Sequence, residues 1–136
     1  MLHLEVITPS GSVLNAHVEQ VTAPGVEGEF QVLPAHLPAL VILGGGKLSY
    51  TEKGETKAIY LRGGVAEVSH GTEKAEEGGV LILAEETQTA DQLDKERAQE
   101  LKEAAEATLL KSDYVTDEKL ARIRQDIDFA EAVLNA

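Results

Sequence analysis

All twelve glycines and all four prolines of this chain lie in its first 88 residues; residues 89–136 contain neither. Glycine frees the backbone, and proline removes a donor and breaks helices. The chain is therefore expected to have an irregular, turn-rich first part and a second part built for uninterrupted helix. Hydrophobic periodicity divides it at the same place.

Thr89 with Gln92 three positions later has the form of a capping box, which predicts a helix start there. Asp91 and Asp94 would fall in its first turns, where the helix dipole favours acids. Ala, Glu, Leu, Lys and Gln, all good helix formers, then dominate to about Leu110. The stretch Lys111-Ser112-Asp113-Tyr114-Val115 reads as a connector, and Thr116 as the cap of a second helix with Asp117 and Glu118 in its first turn. Leu120, Ile123, Ile127, Ala130 and Leu134 step by three and four and should share one face; Leu93, Ala98, Leu101 and Ala105 give the first helix a narrower stripe. Two such helices joined by a short loop form an antiparallel hairpin. A pair with one thin apolar stripe is marginal alone. It should dock on the preceding domain or on a partner, and it is able to switch between them.

The first 86 residues read as strands. Leu2, Leu4 and Val6 alternate with His3, Glu5 and Ile7, and residues 80–84 form a continuous apolar run suited to a strand buried on both faces. Gly44-Gly45-Gly46 and Gly63-Gly64 read as turns, with others near Pro9, Pro24, Gly54 and Gly78. The fold class expected is α+β: an N-terminal antiparallel β-sandwich over residues 1–86, followed by a C-terminal antiparallel two-helix hairpin over residues 87–136.

Composition narrows the function. The 136 residues carry 12 Lys and Arg against 24 Asp and Glu, a formal charge of −12. Such a surface repels nucleic acid and anionic lipid. With no cysteine there is no disulfide or thiolate chemistry. The start, Met1-Leu2-His3-Leu4-Glu5, lacks the features of a signal peptide. No apolar run approaches the roughly 20 residues needed to span a bilayer, so direct membrane insertion is not expected. His3, His17, His36 and His70 show no helix-borne metal-ligand spacing, so they are expected to be solvated or structural, with no metal site. Gly44-Gly45-Gly46-Lys47 fails as a phosphate loop, because Leu48 stands where Ser or Thr is needed and Val41 where the first Gly is needed. The acid pairs Glu76-Glu77 and Glu85-Glu86 are expected to be solvated strand ends. No arrangement makes a catalytic site.

Three stretches carry a resemblance. Residues 24–38 run Pro-Gly-Val-Glu-Gly-Glu-Phe-Gln-Val-Leu-Pro-Ala-His-Leu-Pro. Gly46-Lys47-Leu48-Ser49-Tyr50 is followed by Arg62-Gly63-Gly64-Val65-Ala66-Glu67-Val68. The third is Val80-Leu81-Ile82-Leu83-Ala84-Glu85. In order, spacing and layout they resemble the epsilon subunit family of bacterial F-type ATP synthases, over essentially the whole chain. The resemblance implies a non-catalytic central-stalk rotor subunit that couples rotation of the c-subunit ring to the catalytic head. Its implied partners are the gamma subunit, the c ring, through Glu29 and His36, and the catalytic beta subunits when the hairpin is extended and blocks hydrolysis. The implied location is the cytoplasmic face of the bacterial inner membrane, peripheral through the complex.

Some members of that family bind ATP on the folded hairpin as a regulatory ligand. Leu93-Asp94-Lys95-Glu96-Arg97-Ala98 matches their motif, which implies nucleotide-binding roles for Leu93, Asp94, Arg97 and Ala98, with Arg122 and Arg124 on the second helix as further phosphate partners. The chain departs from that pattern at Gln88 and Ala104, where such relatives carry Glu and Arg. Residues 87–136 hold 7 Lys and Arg against 12 Asp and Glu, a net of −5, which would weaken docking on an acidic partner. Two other readings remain open from the residues alone: a small-ligand-binding sandwich with a helical lid, and a small hydrolase using Glu and His.

Overall fold

The computed structural model describes residues 1–34, 37–70, 78–111 and 115–136. Among the described residues eight strands come first: β1 (Leu2–Thr8), β2 (Gly11–Val18), β3 (Gln20–Gly25), β4 (Gly28–Val32), β5 (Ala39–Glu52), β6 (Glu55–Ser69), β7 (Gly78–Ala84) and β8 (Thr87–Thr89). Two helices follow, α1 (Lys95–Lys111) and α2 (Asp117–Leu134). The strands form one hydrogen-bonded path in the order β2-β1-β7-β6-β5-β3-β4, with β8 pairing on β6. Neighbours are antiparallel except β1 and β7, which run parallel.

The path closes on itself as a sandwich because β5 and β6 are long enough to serve both layers. Gly64 to Ser69 of β6 pair with β7, whereas Ile59 to Leu61 pair with β8. Alternation sends Leu2, Leu4, Val6, Leu48, Leu61 and Ile82 inward, each at most 1% exposed. Together with Val21, Val68 and Val80 they make one core of branched aliphatic side chains.

The glycine pairs expected to be turns are not turns. Gly44-Gly45-Gly46 lies inside β5 and Gly63-Gly64 inside β6. Glycine within a strand marks a bend or a close approach of another backbone, and here it does both. Gly46, Gly63 and Gly64 hold φ of +151°, +73° and +133°. A β-carbon on Gly45 would overlap the main chain of α2 at Gln125 and Phe129. The missing side chain lets the helix lie directly on the strand.

The first helix begins later than the capping box predicts. Thr87–Thr89 pairs with β6 instead, so the sheet extends three residues past the expected boundary at residue 86. Asp94 is the true cap: its Oδ1 accepts the Arg97 N–H at 2.9 Å, and its carbonyl accepts the Ala98 N–H at 3.1 Å. Buried Gln88 holds the turn, its Oε1 accepting the Asp94 N–H at 2.7 Å. Thr116 caps α2 as expected, accepting the Lys119 N–H at 3.1 Å. The connector residues 112–114 lie outside the described set.

The expected α1 stripe is present in Ala98, Leu101 and Ala105. On α2 the buried set is Ile123, Phe129, Ala130 and Val133, while Leu120 is 48% exposed. The difference arises because α2 is covered on two sides. It lies on β5 and β6, and α1 packs against α2. Phe129 and Val133 join Tyr60, Ala98, Leu101 and Ala130 in a second core separate from that of the sandwich.

Candidate functional site

The feature with the densest chemistry is the seam between hairpin and sandwich. Arg62 projects from β6 beside Gly63, on the outer face. Its Nε and Nη2 donate to Asp126 Oδ1 and Oδ2 of α2 at 2.7 and 3.1 Å, a two-pronged pair. Its Nη1 donates to Glu86 Oε1 at 3.2 Å, and its backbone N–H to the Glu86 carbonyl at 2.9 Å. The hydrogen bonds to Asp126 outweigh partial burial, so Arg62 holds its proton more tightly than a free guanidinium.

Glu86 also accepts Arg97 Nη2 of α1 at 3.1 Å. Its neighbour Glu85 accepts Arg122 Nη2 of α2 at 3.4 Å and Gln125 Nε2 at 3.3 Å. Gln125 Nε2 also lies 3.4 Å from the Arg62 carbonyl. The acid pair at the end of β7 therefore collects three guanidinium groups, one each from the sandwich, α1 and α2. It is not the solvated strand end that the sequence suggested.

These pairs are unequal. Arg62 and Asp126 have side chains only 19% and 14% exposed, and a planar fork on a carboxylate is the strong geometry. Arg97 and Arg122 are 43% and 62% exposed, and such pairs contribute between about 0 and 1 kcal/mol. Arg62→Ala should leave Asp126 unpaired under the helix and weaken docking by about 1–3 kcal/mol. Faster amide exchange in α2, with β1 and β7 unchanged, is the measurement that checks it.

Partial desolvation raises the Asp128 carboxyl above its ordinary 3.8, although the residue stays largely exposed; Arg124 opposes this and Glu131 adds to it. The ionised form thus opposes docking. That penalty is absent below 3.8, grows as pH rises through the window between the ordinary and the raised value, and is full above it. Asp128→Asn should match the parent hairpin's melting temperature in acid and exceed it only slightly at neutral pH, because solvent screens an exposed carboxylate, as followed by helix circular dichroism.

The residues singled out for nucleotide binding divide between two places. Asp94 caps α1, Ala98 is fully buried, and Leu93 packs on the second core. Arg97 faces Glu86. Arg122 and Arg124 line a groove of about 580 Å³ between α2 and the strands, with Val26, Ile42, Leu120 and Asp128. None of Leu93, Asp94, Arg97 or Ala98 lines that groove. Glu29 is exposed on β4, and His36 lies outside the described residues. Arg62, Gln125 and Asp126 were not singled out from the sequence. Four polar residues, Arg124, Gln125, Asp126 and Asp128, stand between the buried positions Ile123 and Phe129 of one helix, and nothing local marks Gln125 and Asp126 among them.

The sandwich matches the family model described as ATP synthase, Delta/Epsilon chain, beta-sandwich domain, over residues 1–90. The chain is 40% identical over 131 residues to an ATP synthase epsilon chain of Nitratidesulfovibrio vulgaris strain Hildenborough, covering 96% of this chain and 84% of that one. The chain belongs to the ATP synthase epsilon family. Another epsilon chain, from Carboxydothermus hydrogenoformans, is 42% identical over 108 residues, covering 79% of this chain and 75% of its own. Among solved structures, a chain of the Euglena gracilis mitochondrial ATP synthase matches at a TM-score of 0.69 and 22% identity, over 97% of this chain and 78% of that chain. A chain of the Tetrahymena thermophila mitochondrial ATP synthase, from its central stalk and c ring, matches at 0.58 and 15%, over 97% and 96%. At those identities the two structures show a shared fold. As an epsilon-family member the chain is a subunit of an ATP synthase. No described helix is long and apolar enough to cross a membrane.

Proposed function

We propose that this epsilon-family chain is a non-catalytic part of the central stalk, with its sandwich held between gamma and the c ring and its hairpin acting as a detachable regulator of ATP hydrolysis. The observation that carries this reading is the way the hairpin is attached. It shares a small core with Tyr60 of β6, separate from the core of the sandwich; α2 also rests on the β5 backbone at Gly45, and ion pairs around Arg62 complete the contact. α1 touches the sandwich mainly through α2 and the Arg97–Glu86 pair. Extended, the helices would run along gamma toward the beta subunits.

The outer face supports a protein partner. Ile42, Val65 and Leu83 lie side by side across β5, β6 and β7, with Ile42 and Leu83 54% and 49% exposed and Leu40 70% exposed. An apolar row of this kind suits a partner helix, and gamma is the partner proposed for it. Glu29 is the candidate toward the c ring. The complex would sit peripherally at the cytoplasmic face of the bacterial inner membrane.

Co-purification of the chain with a bacterial gamma subunit tests the placement. A stable complex lost in Ile42→Asp supports it. Failure to bind gamma contradicts it and leaves the ligand-binding sandwich with a helical lid as the alternative.

ATP as a regulatory ligand would have to take Arg97 and Arg122 from Glu86 and Glu85. Calorimetric titration with ATP addresses this, with Arg97→Ala as control. Saturable heat lost in the variant supports nucleotide sensing; no heat contradicts it.

A further inference from the structure

The outer face proposed for gamma carries one residue that neither the fold nor the hairpin seam employs. Strand register sets the side chains of this face in rows that run across the sheet. One row is Ile42, Val65, Leu83 and Ile7, on β5, β6, β7 and β1. The next row, two residues along each strand, is Leu40, Glu67, Leu81 and Glu5. Strands advance about 3.4 Å per residue, so the two rows lie roughly 7 Å apart. Glu67 thus has Leu40 and Leu81 beside it and Val65 next on its own face of β6, with Ile42 and Leu83 on the diagonals.

The two acids of the second row differ. Glu5 is satisfied, because its Oε2 accepts Asn15 Nδ2 at 3.0 Å from the facing position on β2. Ser69, the next outward residue of β6, donates its hydroxyl to the Gly79 carbonyl at 3.4 Å. Glu67 is exposed, and among the described residues it has no hydrogen-bond or ion-pair partner. Neither row holds a Lys or Arg. A carboxylate set among apolar side chains is tolerated while water reaches it. A partner that covers the apolar row strips that water away.

We infer that Glu67 determines the specificity of this face, which fits a helix whose apolar stripe is flanked by an arginine or lysine set to meet that carboxylate. The inference rests on the reading of the face as the gamma contact. A helix lying on the row of Ile42, Val65 and Leu83 has Glu67 at its flank. A charge buried there without a partner is strongly unfavourable, whereas a cation on the incoming helix satisfies it. Arginine fits best, because its planar fork takes both carboxylate oxygens and it is weakly hydrated. The acid thereby rejects apolar or acidic helices that would otherwise settle on the same row. The chain's net charge of −12 steers a basic partner in the same sense.

The test is calorimetric titration of the full chain with a bacterial gamma subunit, comparing the parent with Glu67→Gln, Glu67→Lys, Ile42→Asp and, as a control for net charge, Glu55→Lys at the other end of β6. Glu67→Gln should weaken binding about tenfold or more, since it strands the partner's cation. Glu67→Lys should weaken it about 100-fold or more, by setting like charges together in the covered interface. Glu55→Lys should leave it unchanged. The isolated Glu67 variants should melt with the parent, because Glu67 has no partner to lose. Equal affinity of the parent and Glu67→Lys, with Ile42→Asp still abolishing binding, overturns this inference alone and leaves the face as the gamma contact. Failure of the parent to bind gamma overturns the placement and the inference with it. A loss of affinity that comes with a lowered melting temperature assigns Glu67 to the fold and also overturns the inference.

Discussion

Phe129→Ala should release the helical hairpin and leave the sandwich folded. Phe129 is completely buried, and it sits in the core shared by Tyr60, Ala98, Leu101, Ala130 and Val133. Truncating a buried phenylalanine removes about 3–5 kcal/mol through lost transfer energy and the cavity left behind. The sandwich core does not include Phe129, so the loss falls on docking. A two-helix hairpin has little stability to spare. Helix circular dichroism should therefore melt well below the sandwich, and α2 amides should lose about two to four orders of magnitude of exchange protection. In an assembled synthase the released hairpin should deepen inhibition of hydrolysis. Loss of the sandwich and hairpin in one transition would contradict the separation of the two cores.

Gly45→Val should reach the same released state from the opposite side of the seam. A side chain at Gly45 meets main-chain atoms of Gln125 and Phe129, not the end of a flexible side chain. Rotamer changes cannot relieve that overlap, so α2 has to move bodily. Overpacking of this kind costs about 1–3 kcal/mol. Gly45 is not among the positive-φ positions, and valine favours strands, so β5 itself should tolerate the change. Gly45→Ala should show a smaller effect of the same sign. If α2 protection is unchanged in Gly45→Val, the helix does not rest on the strand backbone.

Much of this architecture was legible in the sequence. The loss of Gly and Pro after residue 88 separates strands from helices, and Ala98, Leu101 and Ala105 announce the buried stripe of α1. The errors share a cause, which is tertiary contact. Thr89 and Gln92 form a capping box on paper, but residues 87–89 gain more from pairing with β6, and Asp94 takes the cap. Gly44-Gly45-Gly46 looks like a turn because nothing local shows that a helix from 80 residues later will lie on it. Phe129 and Val133 fall outside the periodic face of Leu120, Ile127 and Leu134 because a helix covered on two sides has no single stripe. Glu85 and Glu86 look solvated until Arg62, Arg97 and Arg122 are brought to them. The setting of Glu67 between Leu40 and Leu81 is likewise a matter of strand register, which spacing along the chain does not reveal.

The most direct test locks the hairpin in the position seen here. The natural chain has no cysteine, so Glu85→Cys with Arg122→Cys places two accessible thiols on side chains that meet across the seam. A short bismaleimide can join them before the chain is assembled into an epsilon-depleted bacterial ATP synthase. ATP hydrolysis is then compared with the same double variant carrying unlinked, singly capped thiols. If the docked hairpin is the permissive state, the locked complex hydrolyses ATP several-fold faster than the unlinked one. Equal rates, or a slower locked complex, would contradict a regulatory role for hairpin release.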